Sequence, residues 1–321
     1  MSDVPQKNLS VFGGNMKIVN FGSLNIDYVY TVPHFVRPGE TLTAERRDIF
    51  PGGKGLNQTA ALSRALGKAS GIEIYIAGGI GKGDGALLKQ ALIDMNVNTS
   101  LLGEYDVPSG HTFIQVDASG QNSIVYYPGT NKMHTKDFVD GVFAHFSKGD
   151  FIVLQNEINM LDYIIEKAHE RGLKIFFNPS PFEKSILDLP LGFVDCFLVN
   201  EVEAADIACV PVGDGDELLR AVTEKFSKAS VVLTLGKNGV AYKDASGTYR
   251  HGIYNVPVVD TTAAGDTFTG YFIVCRALGM PVEKSLEYAS KASSIAVSRK
   301  GAAPSIPTFD EVERCTLALK K

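Results

Sequence analysis

An excess of positive charge, paired cysteines and long apolar runs are all missing from this sequence. Its 36 aspartates and glutamates outnumber 31 lysines and arginines, for a net charge of -5. Without a basic surplus there is no electrostatic footprint for nucleic acid or for an anionic membrane. The four cysteines (Cys196, Cys209, Cys275, Cys315) are scattered, with no CxxC spacing. That argues against a disulfide framework or a thiolate zinc site and predicts reduced, mostly buried thiols in the cytoplasm. No stretch approaches the roughly 18 apolar residues of a membrane span. The polar opening, residues 1–15, lacks the basic start and apolar stretch of a secretion signal, so a flexible leader is expected there. The six histidines show no metal-ligand spacing, and the phosphate-loop pattern GxxxxGK[ST] occurs nowhere.

What is present is a chain of 321 residues, 45% hydrophobic, long enough for a large buried core. Short apolar runs recur at 17–22, 72–77, 151–154, 174–177, 196–199 and 231–235. Between them, 56–66, 86–95, 160–171 and 216–226 carry a helical period. This alternation predicts an α/β domain with a central, mostly parallel sheet and helices on both faces. Two regions break it. Residues 26–33 and 40–50 are β-rich around a turn at 37–39, and 111–117 with 122–127 read as a hairpin around Ser119-Gly120. These segments, about 26–50 and 110–128, predict a small antiparallel β lid on a single domain spanning 1–321.

The segment with the most chemistry is Asp260-Thr-Thr-Ala-Ala-Gly-Asp-Thr-Phe-Thr-Gly270, after a strand-like stretch at 257–259 and before a helix through residue 278. Small residues at a helix start let backbone N–H groups approach an anion, with the helix dipole aiding. Asp266 then falls in the first turn, beside that anion. The plainer account is a capped helix, which needs only one polar residue. A second segment, Pro51-Gly-Gly-Lys-Gly-Leu-Asn-Gln-Thr59, leads into a helix and offers Lys54 and Asn57 as hydrogen-bonding groups. Gly81-Lys-Gly83-Asp-Gly-Ala86 loosely fits a dinucleotide fingerprint, but outside the first βαβ unit, so a tight βα turn is expected. His111 reads as a solvent-facing lid residue, and Asn200 as an N-cap beside Glu203.

Together these segments resemble the PfkB family of carbohydrate kinases. The resemblance runs from about Lys17 to Thr308. It is carried by Gly22-Ser-Leu-Asn25-Ile-Asp27, Gly52-Gly53-Lys54-Gly55-Leu56-Asn57-Gln58, Leu154-Gln-Asn-Glu157, Asn178-Pro-Ser-Pro, Asn200-Glu-Val-Glu203, Thr234-Leu-Gly236 and Asp260–Phe268, in family order. It implies ATP-dependent phosphoryl transfer to a small sugar, with the 5-hydroxyl of D-ribose as the leading acceptor. Another small sugar such as deoxyribose, or a nucleoside, is the alternative, and a non-catalytic sensing protein the reading from another class. The resemblance places the sugar against Asn25, Asp27, Gly53, Lys54, Asn57 and Glu157. It places ATP near Asn200, Thr234, Gly236 and Gly265, with magnesium held by Glu203 through water. It makes Asp266 the base and Ala263, Ala264 and Gly265 the anion hole. Asp260, Thr262, Ala296, Arg299, Gly301 and Ser305 match the surround of a potassium ion, and a homodimer through the lid is implied. Departures from the family pattern are Ser290 near the adenine, and His111 with Tyr126-Tyr127 in the lid.

Overall fold

The computed structural model describes residues 16–67 and 71–320. The expected leader at 1–15 lies outside the described residues. Strands β1 (Met16–Phe21), β2 (Asn25–Thr31) and β3 (Arg46–Gly52) precede helix α1 (Lys54–Leu66). Then come β4 (Ile72–Gly81), α2 (Ala86–Asp94), β5 (Asn98–Tyr105), β6 (Gly110–Val116), β7 (Asn122–Tyr127) and α3 (Lys136–Phe143). The middle of the chain alternates: β8 (Phe151–Gln155), α4 (Leu161–Glu170), β9 (Lys174–Asn178), β10 (Cys196–Asn200), α5 (Glu201–Ala208), α6 (Gly215–Lys225), β11 (Ser230–Thr234). A hairpin, β12 (Val240–Asp244) and β13 (Gly247–His251), leads to α7 (Ala264–Ala277), α8 (Val282–Val297) and α9 (Phe309–Arg314).

Nine strands form one sheet in the order β13-β12-β11-β10-β9-β8-β1-β4-β5. From β5 to β11 every pair is parallel, and the β12–β13 hairpin closes one edge antiparallel. Strands such as Ile18–Phe21 and Val231–Leu233 are buried on both faces, which is why they read as unbroken apolar runs. One face carries a core with Leu56, Leu62, Phe272 and Leu286, from α1, α7 and α8. The other carries Val139, Ile164, Ala205 and Leu218, from α3 to α6. Among the described residues no helix is long and apolar enough to cross a membrane.

The lid is a separate four-stranded sheet in the order β3-β2-β6-β7. Its two antiparallel hairpins join through a parallel β2/β6 pair. The expected strand at 40–50 begins only at Arg46. Upstream, the Glu40 carboxylate accepts from the Arg37 amide (3.0 Å) and pairs with His34 Nε2 (2.9 Å), closing a loop in place of a ladder. The strand-like 257–259 is irregular. Pro257 has no N–H, and the Val259 and Asp260 amides both donate to Val297 O at the end of α8. Of the thiols, Cys196 and Cys275 are buried, Cys315 is intermediate and Cys209 exposed, so "mostly buried" holds for only half of them. The 81–86 glycines do make a βα turn, closed by Gly85 N donating to Gly81 O (2.8 Å).

Candidate active site

β1 is the strand from which the sheet grows in both directions, with β4 on one side and β8 on the other. In such sheets ligands settle outside the carboxyl ends of the strands at that switch point. Residues following β1 and β8 therefore define one half of the site, and those ending β9, β10 and β11 the other.

On the β1/β8 side, Glu157 accepts from Ser23 Oγ and from the Lys54 amide (3.2 Å). Gly53, the N-cap of α1, has φ +92°, a region a β-carbon disfavours, and a β-carbon there would meet the Asn25 amide and Ser23 O at 3.1 Å. Asn25 Oδ1 accepts from Asn131 Nδ2 (2.7 Å), and Asp27 Oδ1 accepts from Thr112 Oγ1 (2.6 Å). Burial pushes the Asp27 carboxyl above the ordinary carboxylate range, against the pull of Thr112 and with help from the Glu157 charge. Burial raises Glu157 as well, opposed by Ser23 and Lys54 and aided by the Asp266 charge. In both carboxyls burial outweighs the available partners, an environment that hydroxyl donors of a bound polar ligand would relieve.

Asp266 lies in the first turn of α7 and is 8% exposed. Its carboxylate accepts from Asn57 Nδ2 (3.4 Å) and Gln58 Nε2 (3.0 Å), both on α1. Gln58 in turn meets Asn178 Oδ1 (3.2 Å) and takes a bond from Gln155 Nε2 (2.7 Å), which also reaches Asn20 Oδ1 (2.9 Å). Among the described residues Asn57 Oδ1 is buried without a partner, as expected of an acceptor waiting for a ligand donor. Ahead of Asp266, Ala263 adopts a left-handed conformation (φ +58°) that turns the chain into the helix. Ala264 donates to Thr261 O (3.2 Å), so its amide is engaged in that turn. Among the described residues the Ala263, Gly265 and Asp266 amides have no protein acceptor. The Ala263 and Gly265 N–H groups are thus open at the helix start, while the Ala264 N–H is engaged in the bend.

Two cavities meet at this helix start. The smaller, about 240 Å³, is lined by Lys54, Asn178, Asn200, Glu203, Gly265 and Asp266. Lys54 thus lines the cavity beside Asp266 while its amide meets Glu157 on the β1/β8 side. The larger, about 570 Å³ and mainly apolar, is lined by Asn200, Thr234, Gly236, Val256, Gly265 and Ser290. Asn200 and Glu203 form a reciprocal cap, Oδ1 accepting from the Glu203 amide (2.9 Å) and the Glu203 carboxylate from the Asn200 amide (3.1 Å). Asp260 accepts from the Thr262 amide and the Gly301 amide (both 2.9 Å). Burial acts to raise its carboxyl, but these bonds and the Lys300 charge outweigh it and hold it low. Ser305 bonds Ala302 O (2.8 Å), Ala296 O takes the Arg299 amide (3.0 Å), and the Arg299 guanidinium pairs with Glu311 (2.7 Å). His111 is half-buried rather than fully solvent-facing: its Nδ1 donates to Ser109 O (3.0 Å) and its ring packs on Tyr127.

The model of the pfkB family carbohydrate kinases matches residues 15–309. The chain belongs to this family. Ribokinase from Haemophilus influenzae is 32% identical over 295 residues, 90% of this chain and 95% of its own length. Ribokinase from Staphylococcus aureus is 33% identical over 308 residues, 93% of this chain and 99% of its own. The structure of Arabidopsis thaliana ribokinase complexed with ribose and ATP is similar at a TM-score of 0.81 and 26% identity, covering 94% of this chain and 98% of that one. Asp266 lies between the two halves of the site. Sequence reasoning missed the supports: Gln58, Gln155, Asn20, Ser23, Thr112 and Asn131. Ser23, Gln58 and Gln155 stood inside the quoted motifs; Asn20, Thr112 and Asn131 carried no local signal.

Proposed function

We propose that the chain transfers the γ-phosphoryl group of ATP to the 5-hydroxyl of D-ribose. The observation that carries this reading is Asp266, a buried carboxylate fixed by two side chains of the acceptor-side helix and seated at the mouth of the nucleotide cleft. Its carboxylate takes the proton of the 5-hydroxyl as that oxygen attacks the γ-phosphorus; the bond to the bridging oxygen breaks and ADP leaves. The Ala263 and Gly265 amides and the α7 dipole stabilise charge on the transferring group. Asn25, Asp27, Gly53, Asn57 and Glu157 hold the sugar, and Asn200, Thr234 and Gly236 the nucleotide.

Magnesium fits beside Glu203, a single buried carboxylate on the small cavity, because this ion keeps most of its water and phosphate ligands. When bound it supplies charge neutralisation at the phosphates. Potassium is assigned to the loop where the Asp260 carboxylate takes the Thr262 and Gly301 amides, with oxygens of Ala296, Arg299 and Ser305 as its further donors. A homodimer through the lid accounts for the apolar row Ile49, Phe113 and Val125, left 43%, 46% and 64% exposed. The test is a coupled ADP-release assay over pentoses, deoxyribose and nucleosides. D-ribose should give the highest kcat/KM, and Asp266→Asn should lower kcat by about 10²–10⁴ with ATP binding retained. Near-normal turnover in that variant, or a nucleoside ahead of ribose, would overturn the reading.

A further inference from the structure

The lid sheet carries one row of paired residues across its strands: Phe50 on β3 opposite Asp27 on β2, Asp27 opposite Thr112 on β6, and Thr112 opposite Tyr126 on β7. Register partners share a face of a sheet, so Tyr126 stands on the face that presents Asp27 to the acceptor. A second link runs through Asn131, which is fully buried. Its Nδ2 donates both to Asn25 Oδ1 (2.7 Å) and to Tyr126 Oη (3.2 Å), while its Oδ1 accepts from the Leu24 amide (3.0 Å). Asn131 therefore has its hydrogen-bonding capacity spent on holding Asn25 and Tyr126 at fixed places.

The phenol oxygen accepts from Asn131, which leaves its own hydrogen to donate. Among the described residues no protein group accepts it. In the same row the Thr112 hydroxyl is already committed to Asp27. Tyr126 is 40% exposed, so the hydroxyl is not sealed inside the protein. Burial pushes the phenol up to about 12, partly offset by the Asn131 bond and reinforced by the Glu157 charge. The hydroxyl thus keeps its proton at any working pH.

We infer that Tyr126 is a further specificity-determining residue, whose O–H donates to one of the 1-, 2- or 3-hydroxyls of the bound sugar and whose ring narrows the acceptor pocket from above. This rests on the proposal that the sugar lies against Asn25 and Asp27. Three groups then read the acceptor from the lid side: an amide, a carboxylate that accepts, and a phenol that donates. A donor facing a sugar oxygen rejects acceptors that present a bare methylene there, because the phenol would be left without a partner and the displaced water with no replacement.

The experiment compares kcat/KM of the wild type and Tyr126→Phe on ribose and on its 1-, 2- and 3-deoxy analogues, with KM for ATP and the melting temperature as checks on the fold. Loss of one neutral hydrogen bond should lower kcat/KM for ribose roughly tenfold. For the single analogue that lacks the contacted oxygen, wild type and variant should be equal. Equal losses on all four sugars would reduce Tyr126 to a brace for Asn131 and overturn the inference, as would no loss on any. Asp27→Ala is measured in parallel. If that variant is impaired while Tyr126→Phe is silent, the inference alone falls. If neither substitution matters, the sugar does not lie beside these residues and the reading of the site falls with it.

Discussion

Glu157 shows how a side chain suited to a ligand weighs on the protein without one. Burial holds its carboxyl above the ordinary 4.5. As pH rises past 4.5 the unfolded chain loses this proton first, so stability falls with rising pH until the folded group ionises too. Glu157→Gln removes this pH-dependent cost and can still accept from Ser23. The unliganded variant should melt higher than wild type at pH 7–8, by about 2–4 °C for each kcal/mol recovered, and the difference should vanish below pH 4. Thermal melts across that range check it; a lower melting temperature at pH 7 would place the stabilising weight on the ionised form. The residue-level reading of the sequence reached Glu157, Asp27 and Asp266 because each sits in a short motif. It did not reach the Asn20–Gln155–Gln58 relay, whose members are 97 and 135 positions apart at its two bonds. Only the adjacency of β1, β8 and α1 makes them neighbours.

At the scale of elements, the two helices that frame the reaction are locked together. A β-carbon at Gly270 on α7 would lie 2.4–2.7 Å from Ala61 on α1, so the missing side chain sets their closest approach. This holds Asp266 against Asn57 and Gln58. The start of α7 is governed in turn by the loop from Asp260, which is tied to the Val297 carbonyl and the Gly301 amide. Replacing a large organic cation by potassium at constant ionic strength should raise kcat severalfold by ordering that loop, and Asp260→Asn should remove the response. An unchanged rate in the wild type would count against an occupied site. The buried parallel strands were legible because burial on both faces leaves an unbroken apolar run. α8 was not, since small Ser and Ala fill much of its buried face, and the β12–β13 hairpin was passed over although its Asp244-Ala-Ser-Gly247 turn repeats the Asp117-Ala-Ser-Gly120 turn of the hairpin that was read. The Val-rich stretch after Pro257 looked extended for its composition, yet no strand lies beside it to complete a ladder.

For the whole molecule, the parallel order of the sheet follows from repeated βαβ units, and the growth of the sheet to either side of β1 places the site. Neither could be read from any one segment. The lid face opposite Asp27 carries Ile49, Tyr28, Phe113 and Val125 in register. An apolar row of this kind on a four-stranded sheet calls for a second surface. Light scattering should give twice the chain mass, and Phe113→Glu with Val125→Lys should give the monomer; a monomeric wild type would remove the lid as an interface. The separation of the two halves has a historical meaning as well. In the proposed reading, groups that choose the acceptor sit on the lid and beside β1, those that hold the nucleotide line the cleft between β11 and α8, and Asp266 stands between them. A descendant gene could exchange one sugar for another through changes at Asp27, Thr112 or Tyr126 while inheriting the phosphate chemistry unaltered, so divergence in diet would be recorded in the lid long before it touched the start of α7.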